Sequence, residues 1–424
     1  MQFNNVIKNL VIFFLILFCT TANAVVPNQG KVPDRYIIEI ERGSSASDVA
    51  RQMANEHGLK VRHTYRHVLN GFSAMIPEQR LTRLANDPRV ISIMQDEYVS
   101  IDKKPTCGIP GTPDCEEPPV EPPVEPPPEE SSQIIPTGIS RIYASNILNG
   151  VDVDIAVIDT GISQHEDLNI IGGVNCNDGS SYNDGHGHGT HVAGTIAALN
   201  NDIGVVGVAP GARLWAVRVL DDSGSGYASD VICGLDWVAA KPEIEVANMS
   251  LGGTGVDSTC DGDDIYHNAI CNVVNSGVTL VVAAGNEASD SSGHVPAAYD
   301  EVITVSALAD FDGAAGADGR KTCLRDKDDT FAYFSNYGDD VDIIAPGVCI
   351  ESTYNNGGYA TMSGTSMAAP HVAGAAALYL SMNPGTLPVD VKSVLIDTGN
   401  LDWLNSDDPD GIKESLLDVG SMLQ

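Results

Sequence analysis

The chain has 424 residues, with 57 acidic side chains, 23 basic side chains and a formal net charge of −34. This length accommodates one large domain of roughly 300 residues together with accessory segments. Most of the negative charge comes from residues 133–424, which contain 40 Asp and Glu but only 10 Lys and Arg. Its repulsion excludes nucleic acid and an anionic membrane surface as expected partners.

Residues 1–24 have the pattern of a secretory signal peptide. Lys8 precedes an apolar run over residues 10–18, and residues 22–24 form a small-residue cleavage site, Ala-Asn-Ala. A retained membrane anchor is the alternative, but the run is well short of the roughly 20 residues that span a bilayer. We therefore expect a secreted, extracellular protein.

Residues 25–104 alternate strand and helix patterns. They predict a small α+β domain of the split β-α-β kind, a sheet with two helices on one face. The predicted strands cover residues 35–41, 59–65, 71–76 and 89–95, and the predicted helices cover residues 46–57 and 78–85.

Residues 105–132 contain ten prolines and six glutamates. Proline at this density cannot supply ladder or helix hydrogen bonds, so we predict an extended polyproline-type linker between two domains.

Residues 133–424 alternate short apolar strands with helices and contain no internal repeat. This pattern predicts an α/β domain with a doubly wound, mostly parallel sheet, in which functional groups collect at the carboxyl ends of the strands. Asp159 and Asn286 both follow such strands. The predicted strands are 151–158, 213–219, 246–250, 279–284 and 302–306, with helices over 189–198 and 229–239.

Three glycine-rich motifs supply an acid, a base and a nucleophile. Asp159 follows a buried strand, His188 starts a helix, and Ser366 lies in a glycine-flanked turn that opens an apolar helix. A hydroxyl attacks a carbonyl only when a base removes its proton, and a carboxylate orients that base. We predict that Asn286 and the Ser366 backbone N–H stabilise the resulting oxyanion.

Structural roles are the alternative for each residue taken alone: a helix cap, a core histidine, a strand-end carboxylate or a turn asparagine. His186, His188 and His191 could also form a metal cluster, but no H-E-x-x-H motif accompanies them. The occurrence of all three chemical groups in their own glycine-rich settings favours catalysis.

The motifs resemble those of the subtilisin-like serine proteases, whose chain order is also acid, base and nucleophile. The resemblance extends from Gln133 to the C-terminus. The N-terminal unit resembles the inhibitory propeptide of that family, which acts as a folding chaperone. The matching stretches are residues 157–162, 188–195, 248–253, 283–287 and 364–370.

The resemblance implies a cleft for protein and peptide substrates. Two segments, Ser250-Leu251-Gly252 and Gly224-Ser225-Gly226, would pair with an extended peptide. Gly252 and the segment Ala283-Ala284-Gly285 would form the walls of the first specificity pocket, and such small walls favour large apolar residues.

The resemblance also implies structural Ca²⁺ as the cofactor. A glycine-containing loop can direct several carbonyl oxygens at one such ion. A solvated polar loop is the alternative. The acidic segments 257–264 and 407–410 could bind further calcium, although solvation is favoured for both. The implied ligands are Gln133, Asp167, Asn201 and the carbonyls of Leu199, Ile203 and Val205.

Loss of Cys19 with the signal leaves eight cysteines, an even number that an oxidising compartment allows to pair. Counting alone permits 105 connectivities. Two pairs are close in sequence, Cys107–Cys115 and Cys260–Cys271. Two more would complete the set, Cys176–Cys233 and Cys323–Cys349, with buried free thiols as the alternative for both.

We therefore predict a secreted, monomeric endopeptidase made as a zymogen, with its own propeptide as inhibitor and broad specificity. A processing protease of narrow specificity and a catalytically inactive binding protein are the alternatives. The maturation cut is expected within residues 102–105 or just before Gln133.

Overall fold

A computed structural model describes residues 30–101, 133–177, 179, 181–405 and 408–424. The predicted signal peptide, the linker and the Cys107–Cys115 pair lie outside these residues. Among the described residues, no helix is both long enough and apolar enough to cross a membrane.

Residues 30–101 form an antiparallel sheet in the spatial order β2-β3-β1-β4, with two helices. Ser45 caps the first helix by accepting a hydrogen bond from the Asp48 N–H, and Gly58 ends it in a left-handed conformation. The elements are β1 (Lys31–Ile40), α1 (Ala46–His57), β2 (Lys60–Tyr65), β3 (Gly71–Met75), α2 (Glu78–Ala85) and β4 (Val90–Ser100).

The C-terminal domain contains the remaining helices and strands. Its helices are α3 (Thr137–Arg141), α4 (His188–Ala197), α5 (Ala228–Ala239), α6 (Ile265–Asn275), α7 (Thr365–Met382), α8 (Pro388–Asp397) and α9 (Val419–Met422). Its strands are β5 (Asp154–Asp159), β6 (Ile170–Asn175), β7 (Arg213–Arg218), β8 (Ser225–Tyr227), β9 (Ile244–Met249), β10 (Gly253–Thr254), β11 (Thr279–Ala283), β12 (His294–Val295), β13 (Ile303–Ala309), β14 (Thr330–Phe331), β15 (Ile343–Pro346), β16 (Ile350–Tyr354), β17 (Gly358–Met362) and β18 (Ser415–Leu416).

The central sheet of this domain runs in the order β18-β15-β13-β11-β9-β5-β7-β6, and β14 pairs antiparallel with β13. The pairs along the main path are parallel. One apolar core includes α4 and α7, and a second includes α5 and α6. The predicted doubly wound parallel sheet is confirmed, and it directs the ends of β5 and β11 to one edge.

The strand β4 is longer than the sequence predicted. Its predicted end was residue 95, but it continues to Ser100 because residues 98–100 pair with β8 of the C-terminal domain. Local periodicity could not reveal this extension, since the partner strand lies more than 120 residues further along the chain. The small N-terminal sheet is thus continuous with an edge of the larger domain.

Buried charges hold the two domains together. The guanidinium of Arg35 lies 2.7 Å from a carboxylate oxygen of Asp96 and 3.1 Å from one of Asp230 on α5. Arg62 and His63 on β2 also contact Asp230, at 2.9 and 2.8 Å. Because Asp230 is fully buried, its charge depends on these three partners.

The structure contains three of the disulfides that the sequence analysis proposed: Cys176–Cys233, Cys260–Cys271 and Cys323–Cys349. The first joins the loop after β6 to α5. The third ties the long segment between β13 and β14 to the start of β16.

Candidate active site

Asp159 and His188 meet at the carboxyl edge of the sheet. Asp159 is the last residue of β5 and His188 the first of α4, and both are buried. The His188 Nδ1 lies 2.9 Å from each carboxylate oxygen of Asp159. This contact places the proton on Nδ1 and leaves Nε2 as the basic nitrogen of the ring.

Gly189 allows the close approach between α4 and the end of β5. A Cβ atom at this position would lie 2.2 Å from the Gly161 carbonyl oxygen and 3.1 Å from the Asp159 side chain. A larger residue would therefore move the histidine away from its carboxylate.

Asp184 shapes the turn that leads into His188. Its buried carboxylate accepts hydrogen bonds from the N–H groups of His186 and Gly187, and from both the N–H and the hydroxyl of Thr190. It also accepts the hydroxyl of Thr160, which follows Asp159, at 2.9 Å. One carboxylate therefore connects the end of β5 to the start of α4.

Ser366 lies in the first turn of α7 and is 3% exposed. The helix α7 packs against α4. Its hydroxyl lies 3.4 Å from the Ser250 carbonyl oxygen, and the Ser250 hydroxyl donates to the Ser366 carbonyl at 2.9 Å. These contacts join the start of α7 to the segment after β9.

Asn286 is fixed by Thr365. Its Oδ1 accepts hydrogen bonds from the Thr365 N–H at 2.9 Å and from the Thr365 hydroxyl at 3.0 Å. A Cβ atom at Gly364 would lie 3.3 Å from Asn286 Nδ2 and 3.7 Å from the Ser366 backbone nitrogen. The two predicted oxyanion donors therefore border one small space, which the glycine keeps open.

The two predicted substrate-pairing segments are bonded to the tail of the N-terminal domain. Ser100 exchanges two main-chain hydrogen bonds with Gly252, each 3.0 Å long. On the other side, Val99 pairs with Gly226, and the Ile101 N–H donates to the Gly224 carbonyl at 2.9 Å. An extended strand thus lies between both segments, in the arrangement of β-augmentation.

The predicted pocket walls are small and buried. Ala283 ends β11, and Ala284 donates its N–H to the Val305 carbonyl. The Gly285 N–H donates to the Thr365 hydroxyl, and a side chain at Gly285 would clash with Asn336. Neither these residues nor Gly252 carries a charge, but a Cβ atom at Gly285 would lie 2.8 Å from a carboxylate oxygen of Glu287.

His191 does not fit the alternative of a metal cluster. Its Nε2 lies 3.0 Å from the carbonyl oxygens of Ile350 and Ala360, so that nitrogen must carry the hydrogen. Burial lowers the pKa of His191 to about 3, which keeps the ring neutral. We assign it a packing role between α4 and the β16–β17 hairpin.

Hydrogen bonds connect four of the predicted calcium ligands, Gln133, Asp167, Leu199 and Val205. The Gln133 side-chain nitrogen donates to the carbonyls of Leu199 and Val205, at 2.5 and 2.9 Å. Asp167 accepts the Val205 N–H through Oδ2, while its buried Oδ1 has no hydrogen bond to any described residue. The Asn201 side-chain oxygen accepts the Ile203 N–H at 3.1 Å.

Comparison with known proteins agrees with this geometry. The model of the Subtilase family matches residues 150–414, and that of Peptidase inhibitor I9 matches residues 35–102. Subtilisin E from Bacillus subtilis (strain 168) is 36% identical over 404 residues, which cover 92% of each chain. Subtilisin Savinase from Lederbergia lenta is 44% identical over 272 residues, 63% of this chain and 92% of that protein.

A solved structure, of a cold adapted subtilisin-like serine proteinase, has a TM-score of 0.57 and 37% identity. It covers 68% of this chain, and the match includes 99% of the solved chain. The fold and the site define a subtilisin-like serine endopeptidase preceded by an inhibitory propeptide domain. The chain belongs to the subtilase family.

Sequence reasoning missed three contributors to the site. Thr365 and Asp184 make polar contacts that the motifs do not predict, although both lie within a few residues of a predicted catalytic residue. The tail at residues 98–101 was missed because its partners are distant in sequence. One signal could have indicated this tail. The two segments that were expected to pair with a peptide need an extended chain between them, and the end of the N-terminal domain is such a chain.

The hydroxyl of Thr365 should matter for turnover. Thr365→Val preserves the shape of the side chain but removes the hydroxyl that donates to Asn286 Oδ1 and accepts the Gly285 N–H, so the Asn286 amide loses part of its orientation. We expect kcat to fall by about 10-fold, the effect of about 1.4 kcal/mol, with KM nearly unchanged. Steady-state kinetics on a peptide substrate would measure this.

Thr365→Ser is the matched control, because it retains the hydroxyl and should retain most of the turnover. Asn286→Ala should cost more, about 10²- to 10³-fold in kcat, which is the established value for subtilisin itself. A Thr365→Val enzyme with unchanged kcat would show that Thr365 does not position the amide.

Proposed function

We propose that this protein is a secreted serine endopeptidase, made as a zymogen, that hydrolyses extracellular proteins through an acyl-enzyme. The main-chain pairing of residues 99–101 between Gly252 and the segment 224–226 is the observation that carries the proposal. A peptide bound in this way runs alongside Ser250, whose carbonyl lies 3.4 Å from the Ser366 hydroxyl.

In the proposed mechanism Ser366 attacks the substrate carbonyl while His188 Nε2 takes the hydroxyl proton. The imidazolium formed is stabilised by the buried Asp159 carboxylate, 2.9 Å from Nδ1. His188 then gives the proton to the leaving amine as the C–N bond breaks, and a water molecule hydrolyses the acyl-enzyme by the same steps.

Negative charge develops on the carbonyl oxygen during each attack. We assign its stabilisation to Asn286 Nδ2 and the Ser366 backbone N–H, the two groups beside Gly364. The Ser366 N–H is available because the first N–H groups of a helix have no partner within that helix. Both donors are held in place before the substrate binds, so no reorganisation is needed in the transition state.

We propose a broad specificity that favours large apolar residues in the first pocket. The walls formed by Gly252 and residues 283–285 are small, and they offer no charge to select a charged side chain. Most of the affinity would come from main-chain bonds, which every peptide can form. A broad cleavage profile on a peptide library would separate this proposal from a narrow-specificity processing protease.

Residues 25–104 are proposed as the propeptide, 105–132 as the linker and 133–424 as the catalytic domain. Residues 99–101 already occupy the predicted substrate-pairing segments beside Ser250, so we favour a cut within residues 102–105 over one just before Gln133. After the cut, the buried contacts of Arg35, Arg62 and His63 with Asp230 would keep the released domain bound as an inhibitor.

The loop at residues 199–205 is proposed as a structural calcium site. The carbonyl oxygens of Leu199 and Val205 converge on the Gln133 side chain, and Asp167 Oδ1, which has no hydrogen-bond partner among the described residues, would supply the buried negative charge that favours calcium. Burial raises the pKa of Asp167, and hydrogen bonds from the Val205 N–H and the Tyr359 hydroxyl oppose that shift. A 180° rotation of the Gln133 side-chain amide would exchange the positions of Nε2 and Oε1, so that Oε1 could act as a ligand of the ion.

Ser366→Ala tests the proposed chemistry directly. The variant should lack peptidase activity and should accumulate as an uncut precursor when it is made without other proteases, because the same hydroxyl is proposed to cut both substrate and propeptide. Electrophoresis and N-terminal sequencing would compare it with the wild type, whose mature chain should begin close to residue 103. Mature-sized product from the variant would contradict autoprocessing.

Asp230→Ala should weaken inhibition by the propeptide. It leaves Arg62 and His63 without their buried partner, and such a loss costs about 3 kcal/mol or more, which corresponds to roughly 10²-fold in the inhibition constant. The lag before full activity appears in the wild-type chain should therefore shorten. Asp390→Ala is the control, since Asp390 is exposed on α8. An unchanged lag in Asp230→Ala would contradict this role.

Calcium should extend the lifetime of the enzyme rather than change its turnover. An ion that binds only the native state stabilises it by about 2.7 kcal/mol at 100 times its dissociation constant. Chelation should leave initial rates intact but shorten the inactivation half-life. Asp167→Asn should lose a substantial part of the protection, whereas Asp202→Asn, exposed on the same loop, should keep it. An Asp167→Asn enzyme that responds as the wild type would refute this site.

A further inference from the structure

The Cys260–Cys271 disulfide lies beside a histidine and a glutamate. One potential ligand atom from each of Cys260, His267, Cys271 and Glu301 lies within 4.8 Å of every other. His267 Nε2 is 2.8 Å from Glu301 Oε2, and Cys260 Sγ is 3.0 Å from Glu301 Oε1. Among the described residues, the other groups with this proximity contain no cysteine. The other disulfides of the described chain therefore lack such neighbours.

The contact between Cys260 and Glu301 lacks a hydrogen. A thiol can donate to a carboxylate, but a disulfide sulfur carries no proton, so Glu301 Oε1 faces a second electron-rich atom. His267 Nε2 contacts the other carboxylate oxygen. A proton or a cation near both the sulfur and the oxygen would therefore be favourable.

His267 is held in the manner of a zinc-binding histidine. The residue is 1% exposed, and its ring stacks on Tyr299 with centroids 3.9 Å apart and an interplanar angle of 4°. Its Nδ1 lies 2.9 Å from the Ser258 hydroxyl. A histidine that binds zinc usually bonds an oxygen through its other nitrogen, which fixes the ring. Here that bond leaves Nε2 beside the Glu301 carboxylate.

The helix α6 supplies two of the four side chains. His267 and Cys271 are four residues apart and both buried, so they lie on the same face of the helix. Cys260 belongs to the preceding loop, where residues 259, 261 and 263 are exposed. Two thiolates on one tetrahedral zinc ion are about 3.8 Å apart, so the loop would move by roughly 2 Å once the disulfide opens.

We propose that reduction of the Cys260–Cys271 disulfide creates a zinc site made of both thiolates, His267 and Glu301. A dithiol reductant supplies the two electrons: its own sulfurs join, and its two protons pass to the cysteines as their S–S bond breaks. Zinc then displaces both thiol protons. Two sulfurs, one nitrogen and one oxygen complete a four-ligand zinc site, and the thiolates and imidazole disfavour calcium.

The zinc ion would join the same segments as the disulfide. Cys260 lies in the loop after β10, His267 and Cys271 lie on α6, and Glu301 lies just before β13. The loop continues through β10 from Ser250-Leu251-Gly252, a segment predicted to pair with substrate. Zinc would thus keep this loop attached to α6 under reducing conditions. The site does not depend on the proposed catalytic activity.

Cobalt absorption tests the site without any measurement of activity. The full chain with Ser366→Ala, which prevents self-digestion, is reduced with a dithiol, which is removed under nitrogen before Co²⁺ is added. We expect a sulfur-to-cobalt charge-transfer band that zinc then removes, and no band from the oxidised chain. Cys271→Ser should abolish the band. Cys323→Ser, which removes a cysteine of another disulfide, should keep it.

Glu301→Gln tests the carboxylate in the same titration. The variant should bind cobalt at least about 10-fold more weakly, because an amide is a poorer ligand. Asp300→Asn is the matched control, since Asp300 is the exposed neighbour of Glu301. A reduced chain without a band, the same band in Cys271→Ser, or an unchanged affinity in Glu301→Gln would overturn the proposal.

Alkylation supplies a second test that uses unaltered cysteines, so it does not depend on the folding of a ligand variant. In the reduced Ser366→Ala chain, zinc should suppress the reaction of Cys260 and Cys271 with iodoacetamide, as located by peptide mass mapping. Cys323 is exposed and serves as the internal control, with equal reaction in zinc and in chelator. Equal alkylation of Cys260 and Cys271 in both buffers, or equal protection of Cys323, would contradict the site.

Discussion

The buried contact between Asp159 and His188 is the constraint on which the catalytic domain depends. Asp159 is fully buried, so its charge is acceptable only because His188 and the Thr160 N–H contact it. Those contacts require α4 to begin at the end of β5, which the small residue Gly189 permits. Asp184 fixes the turn before the helix. The sheet, the turn and the helix therefore act together to define one orientation of the imidazole.

The N-terminal domain is bound by the same main-chain groups that we propose for substrate binding. The main-chain groups of Gly252 and Gly224 that would hold a substrate instead hold Ser100 and Ile101. Side chains contribute little to this pairing, so the propeptide needs additional affinity from outside the cleft. We propose that the buried contacts of Asp230 with Arg35, Arg62 and His63 supply this affinity. Inhibition by this domain can therefore be strong even with the broad specificity that we propose for the cleft.

Most of the fold and the reacting groups could be predicted because their signals are local. Periodicity predicted the strands and helices of the N-terminal domain, and five strands and two helices of the C-terminal domain, but not most of the other elements of that domain. The motifs that contain Asp159, His188 and Ser366 are each recognisable within a few consecutive residues. The extension of β4 to Ser100 depends on pairing with a strand of the other domain, so the sequence pattern predicts an end at residue 95, before the true end of the strand. The proximity of Glu301 to a disulfide could not be predicted, since this residue is distant in sequence from the cysteines.

Reaction with a serine-directed fluorophosphonate, located by peptide mass mapping, tests the central claim most directly. The claim is that Ser366 is the activated nucleophile and that the N-terminal domain covers it through residues 98–101. The account predicts one adduct, on Ser366, which forms rapidly once that domain has been removed and slowly while it remains bound. An adduct on a different serine, or an equal rate in both states, would contradict the account.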